Sequence, residues 1–78
     1  MHIEIFERPS EMRTRLLWCY PSSAMPWHKG DLIRIKDECT DDLFIVLEIR
    51  YELDCTNLRN EDPKLRAQVF VRRFDPEE

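Results

Sequence analysis

The chain has one glycine among its 78 residues. Two-residue hairpin turns of the primed types draw on Asn-Gly or Gly-X for their positive φ angles, so this sequence has almost no access to them. Any strands it forms must be joined by wider connections. It also lacks an apolar run of the ~20 residues that a membrane helix needs. The longest run, Leu43 to Leu47, ends at Glu48. The opening His2-Ile3-Glu4-Ile5-Phe6-Glu7 shows neither the basic nor the apolar region of a secretory leader. The expectation is a cytoplasmic protein with no membrane association.

Paired cysteines and closely spaced metal ligands are missing as well. Cys19, Cys39 and Cys55 cannot all pair within one chain, which fits a reducing compartment. No Cys-x-x-Cys or His-x-x-x-His pair occurs, so these thiols with His2 and His28 make no zinc pattern. Nucleophile-elbow, metalloprotease, phosphate-loop and dinucleotide motifs are absent too. Together these gaps predict a non-catalytic protein with no metal and no cofactor.

What the chain does have is period-2 alternation, the mark of a half-buried strand. Ile3 and Ile5 alternate with His2 and Glu4; Ile33 and Ile35 alternate with Arg34 and Lys36. From Leu43 to Leu53 one phase carries Leu43, Ile45, Leu47, Ile49, Tyr51 and Leu53 against Glu48, Arg50 and Glu52. From Leu65 onward, Leu65, Ala67, Val69 and Val71 oppose Arg66, Gln68, Phe70 and Arg72. In Met12 to Tyr20, Met12, Thr14, Leu16, Trp18 and Tyr20 fall opposite Arg13 and Arg15. The Thr and aromatic content favours a strand there. The alternative is a short helix over 10–20, capped by Ser10 and grouping Met12, Leu16 and Tyr20, which would make the fold α+β.

Turn formers separate these segments at Pro9-Ser10, Pro21-Ser22-Ser23, Asp41-Asp42 and Asn60-Glu61-Asp62-Pro63. The stretch from Cys55 to Lys64 has room for one helical turn. The fold class expected is all-β in a single domain over 1–78. Five strands would form a small barrel or curled antiparallel sheet, which hides strand edges. The predicted core is Ile3, Ile5, Leu16, Trp18, Ile33, Ile35, Ile45, Leu47, Ile49, Tyr51, Val69 and Val71.

The net charge of −4 conceals a segregation. Basic residues concentrate in the strand spans, at Arg13, Arg15, Arg34, Lys36, Arg50, Arg66, Arg72 and Arg73, and acidic ones in the connections and the tail. Cross-strand pairs of Glu48 and Glu52 with Arg66 and Arg72 would give part of this basic set a structural role. The apolar second phase at Phe44 and Val46 asks for cover on both faces, so Phe44, Val46 and Phe70 are expected at a twofold interface of a homo-oligomer.

The run Trp27-His-Lys-Gly-Asp-Leu-Ile-Arg-Ile35, an acidic turn, and Leu43-Phe-Ile-Val-Leu-Glu-Ile49 resembles the opening of SH3-like small barrels. In those, a Gly-Asp turn leads into a strand and then a longer second strand. The resemblance covers residues 27–53 and implies a small β-barrel. The glycines that KOW-type members carry further along are missing here. In size and charge the chain is similar in kind to small accessory proteins of phages and mobile elements.

Two functions compete at this point. The favoured one is a protein-binding or accessory module. It would use the stiff aromatic loop with Tyr20, Met25, Trp27 and His28, together with Phe44 and Phe70 on the sheet, since aromatic anchors dominate protein interfaces. The other is a nucleic-acid-binding barrel using Arg13, Arg15, Arg34, Lys36, Arg66 and Arg72 on phosphates, with aromatics to stack bases. The acidic connections oppose that second reading, because they repel a polyanion within a Debye length of ~8–10 Å.

Overall fold

A computed structural model describes residues 1–10, 12–56 and 64–75. Five strands run β1 (His2–Ser10), β2 (Arg13–Pro21), β3 (Leu32–Lys36), β4 (Asp41–Asp54) and β5 (Lys64–Arg73). No helix occurs among the described residues, so the 10–20 segment is strand, with β-branched and aromatic content prevailing over the Ser10 cap. The expected helical turn between Cys55 and Lys64 falls largely on residues 57–63, outside the described residues.

The strands form one curled sheet in the order β2-β1-β5-β4-β3. Neighbours are antiparallel except β1 and β5, which pair in parallel from His2↔Arg66 to Glu7↔Val71. The sheet is therefore mixed, which corrects the all-antiparallel expectation. The reason is parity: in five strands alternating up and down, the first and the last run the same way. β2 and β3 are the two edges and do not pair with each other. The barrel is thus a half-barrel, open along that seam.

The near-absence of glycine is met by side-chain turn chemistry. Between β3 and β4, Asp37 Oδ1 accepts the Cys39 and Thr40 amides at 2.8 and 2.6 Å, and the Asp37 amide donates to the Thr40 carbonyl. This Asx geometry closes a wide hairpin without a positive φ. The single Gly30 has φ +91° in the turn from His28 to Asp31, and its amide donates to the Val46 carbonyl.

The core lies on the concave face. Ile3, Ile5, Ile33, Phe44, Val46, Ala67, Val69 and Val71 are buried there, with Leu17, Tyr20, Met25, Trp27, Ile35 and Ile49 packed around them. The inner phases of β1, β3 and β5 agree with the alternation in the sequence. Those of β2 and β4 do not, and each carries a bulge. In β4 the pairing passes from Val46↔Val71 to Glu48↔Phe70, so Leu47 is an extra residue. An extra residue flips every side chain beyond it. Phe44 and Val46 therefore point inward, 2% and 1% exposed, whereas Ile45 and Leu47 are only half-buried. The expected twofold interface through Phe44 and Val46 is corrected accordingly: both are core. In β2 the pairing passes from Ile5↔Trp18 to Phe6↔Leu16, leaving Leu17 extra. Leu17 packs on the core, while Leu16, Trp18 and Tyr51, all expected inside, are exposed.

Phe70 holds the outward phase and is still only 6% exposed. It stacks on Phe6 with ring centroids 5.6 Å apart, and the guanidinium carbons of Arg8 and Arg50 lie 4.2 and 4.9 Å from its centroid. Long arginine stems cover apolar surface while their heads stay wet, and guanidinium groups favour an aromatic face. A small second core on the convex face results.

Candidate docking site on the concave face

Because β2 and β3 do not meet, the concave face opens into a groove of about 520 Å³. Ile5, Ile33 and Ile35 line it together with Trp18, Tyr20 and Trp27, and Arg34, Lys36 and Asp37 complete the lining. Trp18 and Tyr20 reach it from β2 because they share the phase that places them opposite Ile5 and Ile3. Trp27 comes from the segment between β2 and β3 and meets Tyr20 edge to face, with centroids 6.2 Å apart. Burial in this setting raises the Tyr20 pKa above the ordinary phenol value, since desolvation disfavours the phenolate. Trp18, 55% exposed, is the largest uncovered side chain of the groove.

Of the residues nominated for partner binding, the structure brings Tyr20 and Trp27 into the groove and packs Met25 beside them against the core. His28 is exposed at the neighbouring turn, its Nδ1 3.8 Å from Asp31 Oδ2. Phe44 and Phe70 are not brought there; the first is core and the second lies under Arg8 and Arg50. Trp18, Ile33 and Ile35 line the groove although the alternation assigns them to a closed core. The shared phase of Trp18 and Tyr20 is the one sequence signal that could have pointed to the site.

The basic residues nominated for nucleic acid divide between the two faces, and three of them are already ion-paired. Arg34 donates from Nε and Nη2 to both carboxylate oxygens of Asp41 at 2.6 Å. Arg15 pairs with Glu7 at 2.9 Å, and Arg66 with Glu52 at 2.8 Å and Glu4 at 3.3 Å. Glu4 Oε1 is buried without a hydrogen bond, so its compensation is the charge of Arg66 rather than a directed contact. By register Arg15 lies on the concave side with Glu7, whereas Arg34, Lys36, Arg66 and Arg72 hold the convex phase. Glu48 takes Arg8 and Arg50 at 3.1 and 2.7 Å, so the expected Glu48–Arg72 pair does not form. These guanidinium groups, Arg50 first, hold the Glu48 carboxyl below its ordinary range.

Among the described residues no group of three His, Cys, Asp or Glu side chains comes together. Nor is any helix there long and apolar enough to cross a membrane. All three thiols are free and exposed. A scan against protein-family models finds no match, and searches of curated proteins and of solved structures find none.

Proposed function

We propose that this chain is a non-catalytic protein-binding module, SH3-like in general plan, whose docking surface is the open concave face. One observation carries the reading: an apolar, aromatic-walled groove lies between two strand edges that have no strand partner among the described residues. Unpaired edges offer backbone donors and acceptors, and a groove with aromatic walls supplies anchor pockets, the two components of strand-type protein recognition. The carboxylates already seated on Arg15, Arg34 and Arg66 weigh against a phosphate-binding role. A phosphate would have to displace them, and the net charge of −4 adds no long-range attraction.

The test sets this reading against its nucleic-acid competitor. Single-stranded and duplex oligonucleotides titrated at low salt are expected to bind more weakly than about 100 µM, the loose end of non-specific affinity. Micromolar binding that collapses when Arg34 and Arg66 are both changed to Glu would reverse the ranking.

A further inference from the structure

We propose that the convex face carries a site for a small oxyanion borne on a planar apolar ring, an aromatic carboxylate or an aryl phosphate. Arg8 and Arg50 would hold its charged group, and Phe6 would face its ring. The site lies on the opposite side of the sheet from the docking groove and does not depend on the reading given to that groove.

Register places the residues. Phe6 lies opposite Phe70 across β1 and β5, and Gln68 opposite Arg50 across β5 and β4. These four hold the outward phase, and with Arg8 and Thr14 they line a depression of about 540 Å³. Small-molecule sites run from ~300 to ~1,000 Å³. The floor is the stacked pair of Phe6 and Phe70, and both guanidinium groups stand over Phe70. Phe70 is buried beneath them, whereas Phe6 is half-buried and still presents ring surface.

Hydrogen-bond stoichiometry gives the second reason. Glu48 Oε2 accepts from Arg8 Nη2 at 3.1 Å and from Arg50 Nη2 at 3.2 Å, while Oε1 takes Arg50 Nε at 2.7 Å. One carboxylate thus draws two guanidinium groups to a single point and neutralises one charge of the two. Each guanidinium carries five N–H donors. Arg8 gives one to Glu48 and Arg50 gives two; the others have no protein acceptor among the described residues. The Arg8 side chain is only 21% exposed, so water reaches its unspent donors over a small area. A second planar oxyanion completes the pairing, because forked guanidinium groups match it in shape and charge. The Thr14 hydroxyl and the Gln68 amide add neutral donors to the same lining.

The surplus of positive charge is local. Arg15 and Arg34 each have a carboxylate of their own, and Arg66 has two. The next charges in the same phase are Glu4 and Glu52, both held by Arg66, and Arg72, which has no ion pair among the described residues. Arg8 and Arg50 alone share a single carboxylate.

NMR signals of Arg8, Arg50 and Phe6, followed at fixed ionic strength, provide the test. Benzoate or phenyl phosphate should shift all three saturably, with a dissociation constant on the order of 1 mM. Benzyl alcohol has the ring without the charge and inorganic phosphate the charge without the ring; each should bind at least about tenfold more weakly. Arg50→Gln, at an exposed position, should weaken benzoate binding about tenfold. Glu48→Gln should tighten it by a similar factor, roughly tenfold, since it removes the carboxylate that competes for both guanidinium groups. The stronger of benzoate and phenyl phosphate identifies the group as carboxylate or phosphoryl, and either supports the site. Shifts that fail to saturate, that inorganic phosphate reproduces, or that Arg50→Gln leaves unchanged overturn it. So does weaker binding in a Glu48→Gln chain that keeps its β-type circular dichroism. None of these outcomes touches the concave groove, whose own test is separate.

Discussion

Tyr20 and Trp27 meet edge to face, with ring centroids 6.2 Å apart and planes at 78°. The contact joins the end of β2 to the segment that returns toward β3, and so it fixes one wall of the groove. Both rings are half-buried. Trp27→Ala should therefore cost about 2–3 kcal/mol, below the 3–5 of a fully buried tryptophan. Urea unfolding at fixed protein concentration measures it, and a cost near zero would show that the segment is not pinned by this pair.

Gly30 presents the opposite case, in which space is free and the backbone is not. Its φ of +91° is one that L side chains rarely adopt, although a Cβ there would meet nothing within 4 Å. Gly30→Ala should destabilise by about 1–2 kcal/mol through conformational strain alone. Since the Gly30 amide donates to the Val46 carbonyl, the same variant should speed amide exchange at Gly30. Thermal melts together with exchange rates check both effects.

The phase of β4 has a direct thermodynamic signature. Phe44, inside, should lose about 3–5 kcal/mol on truncation to Ala. Ile45, half-buried on the other face opposite Arg72, should lose clearly less. Equal or inverted costs would place the bulge elsewhere than Leu47. Chemical denaturation of the two variants side by side decides the matter.

Acid should weaken the fold. Hydrogen bonds from Arg34 depress the Asp41 pKa, those from Arg50 and Arg8 depress that of Glu48, and those from Thr56 depress that of Asp54. A carboxyl depressed in the folded state contributes stability that is fully present above its unfolded pKa. That stability is lost as pH falls through the folded value. Melting temperature should thus hold near neutrality and decline below the ordinary carboxylate range. Asp41→Asn should make the decline shallower. The groups are solvent-exposed, so 1 M salt should narrow the difference between the variants. An acid limb identical in Asp41→Asn and the parent chain would show that the Arg34–Asp41 pair does not contribute.

The strand spans were legible because alternation is a local signal. β3 matches its run from Leu32 to Lys36, and β5 keeps Ala67, Val69 and Val71 inward as the pattern requires. In β4 the alternation of Ile45 and Leu47 was strong and still pointed the wrong way, since both phases are apolar there and a single bulge chooses between them. The site was half legible. Tyr20 and Trp27 could be picked as contact aromatics from a stiff loop. Trp18 looked like core because alternation cannot tell a closed barrel from an open one.

The sequence by itself determined an all-β chain with five strands, wide turns and charge sorted between strands and connections. Each of these follows from residues near one another along the chain: side-chain period, turn chemistry, the scarcity of glycine. The tertiary structure decided what depends on residues far apart. The bulges at Leu17 and Leu47 chose which apolar phase became core. Guanidinium cover turned the outward Phe70 into a buried ring. The gap between β2 and β3 left Trp18 in solvent, because pairing of the two edges is a long-range event that no local pattern specifies.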